Sequence, residues 1–139
     1  MKSEKSNEKS FNVELFFAAL ADNTRLRLLN LMGETEVCVC FFVEVIGTNQ
    51  PKISRHLAYL RKAGIVAARR DGIWAHYRIT PPKNEHAAKV LRNIQDWLKS
   101  DKVMQKDRKQ LANVCCTLQP PGSIQGAPRP ANISAIIKF

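Results

Sequence analysis

The feature that most constrains this chain is the five-residue stretch Gly47-Thr48-Asn49-Gln50-Pro51. Glycine is the usual residue just past a helix end, a polar residue caps the next start, and proline is tolerated in a helix's first turn. A stop followed at once by a start leaves no room for a long loop, so two short helices must meet at a sharp angle. Upstream, Glu36 to Ile46 carries Phe41, Phe42, Val43, Val45 and Ile46, which predicts a helix ending at Gly47. Downstream, Ile53, Leu57 and Leu60 recur at i, i+4 and i+7, which predicts a helix over Lys52 to Ala63 with one buried stripe, closed by Gly64.

A hairpin follows. Ile65 to Arg70 and Ile73 to Ile79 flank Asp71-Gly72, a dipeptide suited to the tight turn between antiparallel strands. Two short helices and then a two-stranded wing is the layout of a winged helix-turn-helix, and the chain is predicted to be mainly α with that wing as its β element. Earlier, Phe11 to Leu20 predicts a first helix, apolar on more than one side. Asp22-Asn23-Thr24 supplies caps for a second, Arg25 to Met32, which Gly33 stops. After Pro81-Pro82, the residues Ala88, Leu91, Ile94, Trp97 and Leu98 predict an amphipathic helix, with Val103, Met104 and Leu111 extending the stripe past a break near Ser100-Asp101.

At 139 residues the chain suffices for one core. The expected division is a flexible polar arm over 1–10, a winged-helix and dimerisation domain over 11–114, and over 115–139 a cysteine pair with a disordered proline-rich tail. No apolar run approaches the roughly 20 residues a membrane helix needs. Met1-Lys2-Ser3-Glu4-Lys5 mixes charges where a secretion signal would be apolar, so a soluble, cytoplasmic protein without a membrane partner is expected.

The formal charge is +10, and it is unevenly placed. Between positions 50 and 78 stand Lys52, Arg55, Arg61, Lys62, Arg69, Arg70 and Arg78 against Asp71 alone, whereas residues 11–45 are net acidic. One basic face beside an acidic half points to a polyanion partner, double-stranded DNA before others. The second helix of such a unit enters the major groove by its N-terminal half, where Gln50, Lys52, Ser54, Arg55 and His56 lie. Gln50 suits adenine and Arg55 guanine. Tyr59 flanks them on the open side. Arg61 and Lys62 at the helix end, with Arg69 and Arg70 on the wing, suit phosphates, which position a protein without reading sequence.

Four cysteines form two close pairs, Cys38/Cys40 and Cys115/Cys116. In a cytoplasmic chain such spacing reads as soft-metal binding or redox chemistry before structural disulfides, with buried apolar packing open for Cys38 in particular. No acid–base partner, phosphate-binding glycine loop or Ser-His-Asp arrangement accompanies them, and an enzyme with a catalytic cofactor is not expected.

Several blocks in one order, Leu20-Ala21-Asp22-Asn23-Thr24-Arg25-Leu26-Arg27, Glu36-Val37-Cys38-Val39-Cys40, Gln50-Pro51-Lys52-Ile53-Ser54-Arg55-His56-Leu57, Leu60-Arg61-Lys62-Ala63-Gly64 and Trp74-Ala75-His76-Tyr77-Arg78, closely resemble the ArsR family of arsenic-responsive repressors. The resemblance spans about residues 11–100. It implies a homodimer, paired through terminal helices, that sits on palindromic operator DNA and dissociates when a metal or metalloid binds. Leu15, Phe16 and Phe17 with Leu91, Ile94, Trp97 and Leu98 are the expected dimer interface. It also implies trivalent arsenic (arsenite or methylarsenite) or antimonite as inducer. Arsenic-sensing members carry a third cysteine three residues after Cys-Val-Cys, and here Val43 occupies that position. The resemblance therefore implies a site in which Cys115 and Cys116 join one or both of Cys38 and Cys40. A site on the vicinal pair alone, a redox-switched repressor and a cadmium- or lead-sensing repressor are the alternatives.

Overall fold

The structure, a computed structural model, describes residues 10–116 and 126–130, without the side chain of Cys116. Among the described residues, six helices and three strands follow one another: α1 (Val13–Leu20), α2 (Asn23–Met32), β1 (Val37–Cys38), α3 (Val39–Ile46), α4 (Gln50–Lys62), β2 (Val66–Asp71), β3 (Trp74–Ile79), α5 (Glu85–Ser100) and α6 (Lys102–Cys116). The fold is the mainly helical winged helix-turn-helix expected from the sequence.

Short acid or amide side chains set the helix starts. Asn12, Asp22, Asn49, Asn84 and Asp101 each accept the backbone N–H three residues on, at 2.9 to 3.1 Å, satisfying a donor that the helix itself leaves unpaired. The stop of α3 just before α4 rests on Gly47. Its φ of 79° is left-handed, and its N–H donates to the Val43 carbonyl at 2.9 Å. The recognition helix α4 buries Ile53, Leu57 and Leu60, the stripe read from its spacing, against a core that includes Phe16, Leu28, Leu29, Phe42 and Ile65.

Three expectations are corrected. The segment from Glu36 is not helical throughout: Val37 and Cys38 are extended and pair antiparallel with β3, Val37 opposite Tyr77 and Cys38 opposite His76. Cys38 becomes the N-cap of α3, and the sheet has three strands in the order β1-β3-β2 rather than two. A buried β-branched Val37 fits a pleated strand better than a helix, and the exposed edge of β3 offers it ladder hydrogen bonds. Second, Cys115 and Cys116 close α6, and Cys115 is buried. This helix packs on α2, α3 and α5. It is held to α2 by a two-pronged ion pair, Arg27 Nε and Nη2 donating to Asp107 at 2.6 and 2.9 Å, and by Asn30 Nδ2 donating to the Met104 carbonyl. Of the region read as a disordered tail, residues 126–130 are described: Ala127 packs against the core and Gly126 faces the Trp74 ring. The arm over 1–9 and the segments 117–125 and 131–139 lie outside the described residues.

Third, Phe16, Leu91 and Leu98, expected at an interface, are spent inside the protomer's own core, and Leu15 and Ile94 are partly buried against it. Helical periodicity cannot tell which of two apolar flanks faces inward. Exposed instead are Phe17 and Trp97, together with Val13 and Val103.

At Gly47 an added Cβ meets nothing within 4 Å, so substitution acts through backbone strain alone. Gly47→Ala is expected to lower unfolding free energy by about 1–2 kcal/mol, read by urea denaturation. Gly47→Asn, which tolerates the left-handed region better, is expected to lose less; equal losses would contradict the strain explanation.

Candidate functional site

Two groups of side chains stand out, a basic groove beside α4 and a thiol pair at the start of α3. The groove, of about 590 Å³, runs between the start of α2 and the exposed face of α4, lined by Thr24, Arg25, Thr48, Lys52, Arg55 and His56 among others. Gln50, Lys52, Arg55 and Tyr59 are exposed, and Ser54 and His56 are half-buried, as expected of residues beside a buried stripe.

Arg25 organises this groove, and the sequence reading did not place it there. Its Nε donates to the Ala19 carbonyl at 2.8 Å and its Nη2 to Ala18 at 3.0 Å, so it holds the end of α1. Its guanidinium carbon lies 4.2 Å from the centre of the Tyr59 ring, a cation–π distance. Nη1 is 3.1 Å from His56 Nδ1. The same Nδ1 lies 3.7 Å from Asp22 Oδ2, so His56 sits between the Arg25 guanidinium and the Asp22 carboxylate. A signal for Arg25 was present: a cation in the first turn of a helix opposes the helix dipole and needs another reason to be there.

Arg61 and Lys62 occupy the last turn of α4, where cations complement the helix dipole. On the wing, Arg70 is exposed near the tip. Arg69 is engaged within the protein: Nε and Nη2 donate to both carboxylate oxygens of Glu36 at 2.8 to 3.2 Å. The guanidinium holds the Glu36 carboxyl below the usual carboxylate range. Because β3 lies between β1 and β2, this ion pair reaches from one edge of the sheet to the other.

The second group begins at Cys38, fully buried where β1 turns into α3. Cys40 Sγ lies 3.3 Å from Cys38 Sγ and donates to it. That hydrogen bond, with backbone N–H groups of Val39, Cys40 and Ala75, outweighs burial and pulls the Cys38 thiol down to about 6. The same bond, with burial, pushes the Cys40 thiol up. The hydrogen bond thus favours the thiolate form of Cys38, the nucleophile that attacks soft ions. Cys115 is buried in the same apolar core as Cys38, on a helix packed against α3. Among the described residues, no three His, Cys, Asp or Glu side chains already stand together as a metal-ligand set.

A family signature described as bacterial regulatory protein, arsR family, matches residues 22–68, from the cap of α2 into β2. Over 92 residues the chain is 42% identical to the arsenic resistance transcriptional regulator ArsR1 of Pseudomonas putida, covering 63% of this chain and 72% of that one. Over 102 residues it is 39% identical to the arsenical resistance operon repressor of Escherichia coli, covering 73% of this chain and 86% of that one. The chain belongs to the ArsR family. Among solved structures, the transcriptional repressor BigR of Xylella fastidiosa aligns with a TM-score of 0.50 at 30% identity, over 61% of this chain and 84% of that one.

An ArsR-family chain is a DNA-binding transcriptional regulator and not an enzyme, and the basic groove fits that role. Among the described residues no helix is long and apolar enough to cross a membrane.

Removing the donor to Cys38 tests the thiol chemistry. In Cys40→Ala, the Cys38 thiolate is expected to form only at higher pH, toward the ordinary value of about 8.5, measured by thiolate ultraviolet absorbance across pH. A Cys38 titration that stays near 6 without Cys40 would contradict the shared-proton pair.

Proposed function

We propose that this repressor is a homodimer that binds palindromic operator DNA and is released by trivalent arsenic, as arsenite or methylarsenite, or by antimonite, captured through Cys38 and Cys40. The observation that carries the reading is the thiol pair, with sulfurs 3.3 Å apart and Cys40 donating to Cys38. Arsenite exchanges two of its hydroxyl groups for sulfur: each As–O bond gives way to As–S and the hydroxyl leaves as water, one proton coming from the Cys40 thiol and the other from solvent. The third position is taken by a thiolate of Cys115 or Cys116 or by the inducer's own hydroxyl or methyl group. The presence of Cys115 in the same core and the packing of α6 on α3 support the first. The names of the two bacterial relatives support arsenic as the inducer.

On DNA, the N-terminal half of α4 reads the major groove. Gln50, Lys52, Ser54, Arg55 and His56 face the bases and nearby phosphates, and Tyr59, Arg61, Lys62 and Arg70 flank them. Arg69 serves the wing through Glu36. The exposed Val13 and Phe17 on α1 with Trp97 on α5 supply apolar surface for the two-fold contact. Two reading helices about one DNA turn apart then require an inverted repeat.

The route from inducer to DNA is short. Closure of sulfur on arsenic displaces Cys38, which is itself a residue of β1. Through its ladder to β3 and the Glu36–Arg69 pair, β1 moves the wing. A coupling of about 1–3 kcal/mol lowers affinity roughly 5- to 150-fold, enough to empty an operator held near its dissociation constant.

Arsenite titrated at constant salt into the protein bound to its operator is expected to release the DNA. Cys38→Ser and Cys40→Ser are expected to abolish release while leaving DNA binding intact, and Cys115→Ser and Cys116→Ser to weaken it. Retained release in both the Cys38 and Cys40 variants would overturn the reading. Arg55→Ala is expected to cost about 1–3 kcal/mol on the cognate operator and less on unrelated duplex, measured by fluorescence anisotropy. Equal losses on both would make Arg55 a phosphate contact.

A further inference from the structure

Arg25 and Arg55 both line the groove beside α4, but the two cations are placed differently. Arg55 is exposed, whereas Arg25 is half-buried and spent on the protein itself. Three of its nitrogens have partners there: Nε and Nη2 on the Ala19 and Ala18 carbonyls, and Nη1 on His56 Nδ1. The two carbonyls stand at the end of α1, where a helix runs short of donors of its own. The guanidinium carbon lies over the Tyr59 ring. His56 and Tyr59 are three residues apart on α4 and so are neighbours on one side of that helix. Asp22 closes the arrangement: its Oδ2 accepts the Arg25 backbone N–H at 3.0 Å and lies 3.7 Å from His56 Nδ1. One side chain therefore ties the end of α1 and the start of α2 to two neighbouring positions of α4.

We propose that Arg25 is a positioning residue for sequence reading: it touches no base, and it holds His56 and Tyr59, and through them the reading face of α4, at a set position relative to α1. The inference rests on α4 being the DNA-reading helix. Two carbonyls, an imidazole and an aromatic ring can be served together only by donors fixed in one plane with a stacking surface across it. Lysine, a point charge on a flexible stem, keeps the charge and loses that geometry. Base readout needs hydrogen bonds of fixed direction, whereas attraction to phosphates needs charge. Loss of the fork with retention of the charge therefore costs discrimination and spares general attraction to duplex.

The test uses the full chain, a duplex that it selects from a random-sequence library, and a scrambled duplex of the same length and base composition. Both are titrated by fluorescence anisotropy at one salt concentration, with helix content followed by circular dichroism. Arg25→Lys is expected to weaken the selected duplex about tenfold and the scrambled one less than about twofold. The cost of Arg25→Lys is expected to persist in a Tyr59→Phe background, which keeps the ring, and to shrink in Tyr59→Leu, which removes it. Equal losses on both duplexes, no loss on either, or an undiminished cost in Tyr59→Leu overturns the assignment. Should Arg25→Lys fail to fold, Tyr59→Leu against Tyr59→Phe decides: a larger selective loss with leucine supports the tie, and equal behaviour overturns it. If Arg55→Ala discriminates between the duplexes while Arg25→Lys does not, only the role of Arg25 falls. If neither discriminates, the reading of α4 falls and this inference with it.

Discussion

The pairing of β1 with β3 is the interaction on which the rest depends. Two residues, Val37 and Cys38, contribute few hydrogen bonds, yet their register decides three things together. It turns Cys38 into the N-cap of α3 and so places its sulfur against that of Cys40. It sets Cys38 opposite His76, and it brings Glu36 within reach of Arg69 across the sheet. Without this pairing the cysteines would sit on an ordinary helix with no physical link to the wing. With it, the thiols are tied to the wing through the β1–β3 ladder.

Charge placement completes the design. Lys52 and Arg55 of α4 line one groove with Arg25, while Arg27 is committed to Asp107 and Arg69 to Glu36. The positive charge thus falls into two sets, one exposed along the groove and one fastening α6 and β1 to the domain. Salt weakens the exposed set far more than the partly buried Arg27–Asp107 bond, so DNA affinity is tunable by ionic strength under conditions where the fold is not.

What could be read from the sequence were features that act locally. Asn49 and Gly47 speak for themselves, because capping and left-handed backbone depend on a few adjacent atoms. The stripe of Ile53, Leu57 and Leu60 and the turn at Asp71-Gly72 are of the same kind. What could not be read depended on distant partners. Val37-Cys38 is too short to show strand alternation, and only the free edge of β3 makes it a strand. Phe16, Leu91 and Leu98 were apolar enough for an interface and were claimed by the core, leaving Phe17 and Trp97 outside. The length of α6 followed from its seat on α2, α3 and α5, which its polar composition does not reveal. At the site, the Cys38–Cys40 pair was legible as a motif, but the strand register that sets Cys38 opposite His76 was not.

The central claim is that inducer thiols and wing move as one unit through β1. Amide hydrogen exchange, followed with and without arsenite on the DNA-free protein, tests it most directly. The account predicts altered protection in β1 and in β3 opposite it, at His76 and Tyr77, with α5 little changed. Stoichiometric arsenite binding that leaves exchange in β1 and β3 as it was would contradict it.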